Sequence, residues 1–171
     1  MLQLGSSFQS VPVMSLRTGG EVARTVGHII NPNNLKIEGF YCDFEKKQPI
    51  LLTQDIRDLL PQGFVIDDIE VLSEPEELVR LTDVLQLNFQ LLGRSVETVS
   101  KEKIGKVTDY ALETTTFYIQ KLYVNQTLLK SISGGQLSID RTQIVEITPK
   151  KIIIQEILKG HKGPIPASIA V

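Results

Sequence analysis

The side chains with the greatest chemical reactivity are few and lie far apart in the sequence. The two histidines are His28, in a β-rich segment, and His161, near the C-terminus. Neither has a second histidine or a cysteine at the spacing of a metal site. The one cysteine, Cys42, lies in the apolar stretch EGFYCDF, which favours a small buried thiol over a reactive one. Phosphate-binding and nucleophile-elbow motifs are missing. We therefore expect no catalytic residues, no cofactor and no metal.

Carboxylates are the side chains best suited to bind a hard cation, and they form two groups: Asp67, Asp68 and Glu70, then Glu74, Glu76 and Glu77. Ca²⁺ takes several oxygen ligands, so binding is conceivable, but the ligand spacing of an EF-type loop is missing. Acidic residues are also favourable in the first turn of a helix. We interpret the two groups as a solvated strand end followed by a helix N-terminus.

Basic and aromatic side chains are interleaved in the second half of the chain: Lys101, Lys103, Lys106 and Lys121 with Tyr110, Phe117, Tyr118 and Tyr123. Such a mixture can bind single-stranded nucleic acid. The same aromatics fall in alternating strand patterns, which need a core. The net charge of −2 does not indicate a general nucleic-acid binder. RNA binding is therefore the alternative rather than the favoured interpretation.

The charge is divided unevenly along the chain. Residues 1–90 carry 7 basic and 13 acidic side chains, whereas residues 91–171 carry 11 basic and 7 acidic ones. Two interpretations stay open. The oppositely charged halves attract each other, within one chain or in a head-to-tail homodimer, or the basic half meets an acidic partner.

The composition is that of an ordinary globular protein, with 42% hydrophobic and 22% charged residues in a chain of 171. The N-terminus lacks the basic and apolar regions of a secretory signal, and no apolar run is long enough to span a membrane. With one cysteine, no intramolecular disulfide is possible. We expect a cytoplasmic protein, because a chain without disulfides fits a reducing compartment.

An internal repeat determines how the elements are arranged. The segments DIRDLLPQGFVID (55–67) and QIVEITPKKIIIQ (143–155) match at an offset of 88, keeping the apolar residues at 56, 59 and 64–66 and the proline. Upstream, VARTVGHIINPNNLKIEGFYC (22–42) resembles KEKIGKVTDYALETTTFYIQKLYV (101–124) at an offset of 78, with Gly27 opposite Gly105. The second copy then holds about ten extra residues, expected in a longer hairpin around Gly134 and Gly135.

Each copy predicts short β-strands and one small helical element. NPNN is a turn signal between two strands, and TQDIRDLL and DRTQIVEI each suggest one helical turn. Between the copies, Pro75 and the glutamates after it are typical of a helix start. Leu78, Leu81, Leu85 and Phe89 share one face of the predicted amphipathic helix, roughly 76–89. We expect this helix to pack against one or both copies.

These motifs resemble those of the PRC-barrel family. EKIGKV (102–107) and ARTVGHI (23–29) resemble the family's glycine turn, and KVTDYAL resembles the strand that follows. The resemblance implies a mostly β fold with two small tandem PRC-type β-barrels joined by a short amphipathic helix. The expected boundaries are 11–73 for the first barrel, 74–90 for the linker helix, 91–158 for the second barrel and 159–171 for a flexible tail.

The resemblance also implies a function, because the family's small barrels serve as docking modules and carry no catalytic residue set. We therefore expect a non-catalytic adaptor of a prokaryotic cell that binds a protein partner. The family includes part of a photosynthetic reaction-centre subunit and a domain of a small-subunit ribosome maturation factor. A membrane-complex component or a ribosomal protein would accordingly suit as partner, and RNA or small-subunit ribosome binding is the alternative.

Overall fold

The structure, a computed structural model, describes residues 1–126 and 135–157. It is mostly β, as expected, with two sheets and one short α-helix. The first half contains β1 (Leu2–Leu4), β2 (Pro12–Ser15), β3 (Glu21–Asn31), β4 (Lys36–Asp43), β5 (Ile50–Leu52), β6 (Asp58–Leu60) and β7 (Gly63–Ile66). After α1 (Thr82–Leu87), the second half contains β8 (Ser95–Thr98), β9 (Lys103–Glu113), β10 (Ile119–Gln126), β11 (Gln136–Asp140), β12 (Ile144–Ile147) and β13 (Lys151–Ile154).

The two halves have the same topology. The first sheet runs β5-β4-β3-β2-β7-β6, and the second runs β11-β10-β9-β8-β13-β12 with β1 added beside β9. In each, one parallel pair, β2 with β7 and β8 with β13, joins a four-stranded antiparallel meander to an antiparallel hairpin. One sheet is curled into a half-barrel. Within the described residues no ladder joins the two end strands of either sheet, so closed barrels are not confirmed.

The thirteen-residue repeat forms the same hairpin twice. Its two copies contain the antiparallel pairs β6–β7 and β12–β13, and the prolines lie between the paired strands. A 3₁₀ turn precedes each hairpin, at Thr53–Asp55 and at Arg141–Gln143. The helical turn expected over residues 53–60 is therefore confined to its first three residues. Leu59 lies opposite Phe64 in the hairpin, so strand pairing replaces helix there.

The upstream repeat has a different register from the one expected. Thr25 lies opposite Cys42, and Val107 lies opposite Val124, in each case just before a β-bulge. The strands therefore correspond at an offset of 82, which pairs Gly105 with Ala23 rather than with Gly27. A shift of four residues keeps every side chain on the same face of its strand, so the apolar pattern alone does not distinguish 78 from 82. The longer hairpin expected in the second copy falls mostly on residues 127–134, outside the described residues.

Equivalent backbone segments of the two halves hydrogen-bond to each other reciprocally, as if related by a pseudo-twofold axis. Ile37 N–H donates to the carbonyl of Phe117 at 2.9 Å, and its equivalent Ile119 N–H donates to the carbonyl of Leu35 at 2.8 Å. Leu35 and Phe117 are equivalent too, and both have left-handed backbones, with φ of 53° and 58°. The Phe117 ring lies 6.1 Å from that of Phe40 in the first half. One apolar cluster accordingly contains residues of both halves.

The segment between the sheets is less regular than the single helix expected over 76–89. It forms 3₁₀ turns at Pro75–Glu77 and Val79–Leu81, and only then α1, which ends at a left-handed Asn88. The Thr82 hydroxyl donates to the carbonyl of Val79, a local bond that competes with regular helix. The four apolar positions, Leu78, Leu81, Leu85 and Phe89, are half-buried, so the expected inward face is correct. The expected tail at 159–171 lies outside the described residues.

Candidate docking groove

The two strand residues with reactive side chains are both enclosed. Cys42 is fully buried on β4, and burial raises the pKa of its thiol to about 11. His28 is half-buried on β3 and shares a hydrogen bond with the Tyr110 hydroxyl of the other half. Burial lowers the pKa of His28, and the Phe8 carbonyl and the Asp109 carboxylate act in the opposite direction. Both side chains are therefore part of the packing, and His161 lies outside the described residues.

Three of the six carboxylates noted in the sequence are paired with basic side chains within the described residues. Asp67 accepts two hydrogen bonds from the Arg57 guanidinium, at 2.8 and 2.7 Å, and this contact lowers the pKa of its carboxyl. Asp68 lies 2.8 Å from Arg17. Farther along, the Lys47 Nζ atom lies 3.1 Å from the Glu74 carboxylate, which also helps to cap the 3₁₀ turn at Pro75. These acids stabilise the ends of the first sheet and of the linker.

The basic and aromatic residues of the second half do not form one surface. Tyr110 and Phe117 are buried in the apolar cluster, so neither ring is available to stack on a base. Tyr118 is covered by the Arg141 guanidinium, 4.9 Å from its ring centre. Lys103 and Lys106 are exposed. The basic side chains are thus accessible, but half of the expected stacking platform is not.

The charge difference between the halves is not neutralised where they meet. The ion pairs between side chains in the described residues lie within one half, as in Arg57–Asp67 and Lys151–Glu97. Among the described residues, one ion pair connects the halves, between the N-terminal ammonium and Glu113. Apolar contacts and backbone hydrogen bonds hold the halves together instead. Side-chain ion pairs among the described residues therefore do not join the halves, and binding of an acidic partner or of a second copy stays a prediction.

A groove of about 420 Å³ lies between the linker and the first sheet. Its floor comes from β4, β5 and the 3₁₀ turn after β5, and its wall comes from the two 3₁₀ turns of the linker. The lining is Lys36, Glu38, Leu52, Thr53, Gln54, Glu77, Leu78, Val79, Arg80 and Leu81. Polar and apolar side chains contribute together, as they do in sites that bind peptides or small molecules.

The groove combines fixed and free polar groups. On its floor, Lys36 and Glu38 lie 3.5 Å apart as an ion pair, and Asn31 donates to Glu38 at 3.1 Å. On its wall, the exposed Arg80 has no ion-pair partner within the described residues. Val79 is 79% exposed, the largest value among the exposed apolar residues of the chain's described part. An apolar side chain that stands in water beside a groove is a candidate contact for a partner.

Sequence reasoning did not find this groove. The residues that build it come from three segments, around 36, 52 and 79, and none of them stands out by type or spacing. The linker was expected to pack on the sheet, but its break into 3₁₀ turns is what leaves the cavity beneath it. The signal that could have indicated it is Val79, an apolar residue outside the helical stripe.

No family model matches this chain, and no curated protein matches it either. No helix in the described part of the chain is long and apolar enough to cross a membrane.

Proposed function

We propose that the protein is a non-catalytic docking module of the PRC-barrel type that binds a protein partner. Its two closely similar sheets support this, because tandem barrels of that family serve as docking modules. In this proposal each sheet closes into a small barrel, and the protein works in the cytoplasm of a prokaryotic cell. A ribosomal protein or a membrane-complex component would suit as partner.

The observation that carries the proposal is the groove beside Val79. Docking surfaces expose apolar side chains that monomeric proteins otherwise bury. Val79 offers such a contact. The Arg80 guanidinium next to it, which has no ion-pair partner among the described residues, can pair with a partner's carboxylate. Among the groove residues Leu52 and Leu78 are half-buried, so a partner's side chain would extend an apolar surface that already exists.

A capture experiment with paired variants tests the proposal. The tagged full-length protein is cross-linked in its source cells, with and without ribonuclease, beside Val79→Asp and Val145→Asp. Val145 is 54% exposed on β12, which makes it the matched control. We expect a protein partner that survives ribonuclease, is lost with Val79→Asp and is kept with Val145→Asp. A partner kept by both variants would contradict the groove as its site.

The alternative function, RNA or small-subunit ribosome binding, predicts a different result in the same experiment. Lys103 and Lys106 are exposed and could contact phosphates. Capture would then depend on intact RNA, weaken steeply with salt, and be insensitive to Val79→Asp. A homodimer held by the acidic and basic halves would also dissociate as salt rises, because exposed charges are screened.

A further inference from the structure

The chain segments that precede the two sheets enter them in the same way. Phe8, before β2, and Leu91, before β8, are both 1% exposed. Three residues after each of them, a backbone carbonyl accepts a hydrogen bond from the central strand. The carbonyl of Val11 accepts from the Thr25 N–H, and the carbonyl of Arg94 accepts from the equivalent Val107 N–H. Upstream of these buried residues the segments differ. Residues 2–4 form strand β1, whereas residues 82–87 form helix α1.

Each of these segments lies on the central strand of the opposite half. Strand β1 pairs antiparallel with the end of β9, placing Gln3 opposite Leu112. The Thr114 N–H donates to the Met1 carbonyl at 3.0 Å. Because hydrogen-bonded positions alternate in an antiparallel pair, Gln3 and Leu112 are the next such pair. A short extended segment thus completes the edge of β9 beyond β8.

Within the described residues, the equivalent edge of β3 has no strand on it. The ladder between β2 and β3 ends at Arg24, and β4 occupies the other side of β3 as far as Asn31. Ile30 is the equivalent of Leu112 and lies in this stretch. Within the described residues, no strand ladder and no backbone hydrogen bond connects α1 to Ile29–Asn31. The helix instead covers these residues through side chains, forming a seam that Ile29, Tyr41 and Leu85 help to line.

Helix α1 is a weak cover for this edge. It has six residues, fewer than an isolated helix needs to be stable. Leu85 is half-buried in the seam, while Leu87 is 56% exposed. Segments with few buried contacts open at a small cost in free energy. Helices and loops often cover a sheet edge that would otherwise pair with another chain.

We propose that the β3 edge at Ile29–Asn31 binds an extended segment of a protein partner, as an added antiparallel strand, when α1 moves aside. The pseudo-twofold relation specifies the occupant, because β1 shows what fits the equivalent edge. That occupant is a three-residue extended strand that is held by its backbone and its half-buried central side chain, with exposed apolar side chains on either side, as in Leu2, Gln3 and Leu4. The inference rests on the proposed docking role, but it uses a surface separate from the groove.

The test uses the full-length protein and a synthetic peptide that copies residues 2–8, acetylated LQLGSSF amide. The backbone amide signals of Ile30 and Leu112 are followed by nuclear magnetic resonance during titration. We expect the Ile30 signal to shift and its hydrogen exchange to slow, with Leu112 unchanged. Leu85→Ala keeps the helix propensity of α1 but loses its packing, so binding should tighten about tenfold. Leu87→Ala, on the exposed side, is the matched control and should leave binding unchanged.

A peptide in which proline replaces the glutamine is the second control, because proline lacks the N–H that the added strand must donate. Equal binding of this peptide would overturn the proposal. So would a shift of Leu112 in place of Ile30, which would mean exchange with β1, or no binding even to Leu85→Ala. Shifts of Ile30 that depend on protein concentration without peptide would identify a second copy as the occupant, and would also contradict it. Val79→Asp should not affect this binding, so failure of the groove and failure of the edge are distinguishable.

Discussion

His28 and Tyr110 are equivalent residues of the two halves, 82 positions apart, and their side chains meet in a hydrogen bond. Their rings lie 6.0 Å apart in an edge-to-face arrangement. This contact joins equivalent residues across the pseudo-twofold axis. The backbone hydrogen bonds that Ile37 and Ile119 each donate to the opposite half are related by the same axis. The Nε2 atom of His28 is buried without a hydrogen-bond partner in the described structure. Protonating this ring would place a charge in the contact between the halves.

Stability should consequently fall in mild acid. Burial lowers the pKa of His28 in the folded state from its ordinary value of 6.5, so the unfolded chain binds a proton first. The contribution of the neutral ring is complete above pH 6.5 and is lost as pH falls from there toward the folded-state pKa. Urea unfolding between pH 8 and pH 5 measures it.

The His28→Gln variant should flatten that part of the pH profile, and His161→Gln is the matched control for the second histidine. The Asp109 carboxylate opposes the effect of burial on the histidine pKa. Asp109→Asn should therefore lower the folded-state pKa further, so that the loss of stability still begins near pH 6.5 but becomes larger and extends to a lower pH. A wild-type profile that stays level between pH 7 and pH 5 would contradict this role of His28.

Replacing Gly5 should loosen the N-terminal strand from the second half. A Cβ atom at Gly5 would lie 2.4 Å from Cζ of the buried Tyr110 ring, which cannot move without disturbing its contact with His28. We expect Gly5→Ala to lower the free energy of unfolding by about 1–3 kcal/mol, the usual cost of overpacking. Gly20→Ala is the control, since nothing lies within 4 Å of its added Cβ. Equal stability of the two variants by urea unfolding would show that β1 adapts freely.

The sequence contained the repeat but not the contact between its copies. Alternation of apolar residues specified strands and faces, which is why the closing strands β7 and β13 and the half-buried stripe from Leu78 to Phe89 were predictable. Their hairpin partners β6 and β12 were not, because each lies where a helical turn was expected. Strand register was not, because a shift of four residues preserves the faces. The contacts that Leu35 and Phe117 each make with the opposite half were also not predictable. An apolar residue at a turn gives no indication of which half it packs into. The groove depends on residues brought together only by the fold.

The two halves should unfold as one unit. Phe117 belongs to the second half, but its ring lies 6.1 Å from Phe40 and 6.4 Å from Phe64 in the first. Phe117→Ala should cost about 3–5 kcal/mol, the range for a buried ring, and Leu35→Ala about 2–5 kcal/mol. Both should shift a single urea transition, and Val145→Ala, on the exposed side of β12, should barely move it. A separate early transition of one half would refute the shared core.

The Cys42 thiol should be inert in the folded protein and reactive once the chain unfolds. It is fully buried on β4, and burial raises its pKa to about 11, with a backbone hydrogen bond from Leu51 acting in the opposite direction. The thiolate, which is the reactive form, is therefore scarce at pH 8. A chromogenic disulfide reagent at pH 8 should react only as fast as the protein opens, and at once in 6 M guanidinium.

Phe117→Ala should speed the native-state reaction by the factor by which it increases the unfolded population, whereas Val145→Ala should leave it unchanged. A fast reaction in the wild-type native protein would mean that the first sheet opens on its own, without the second.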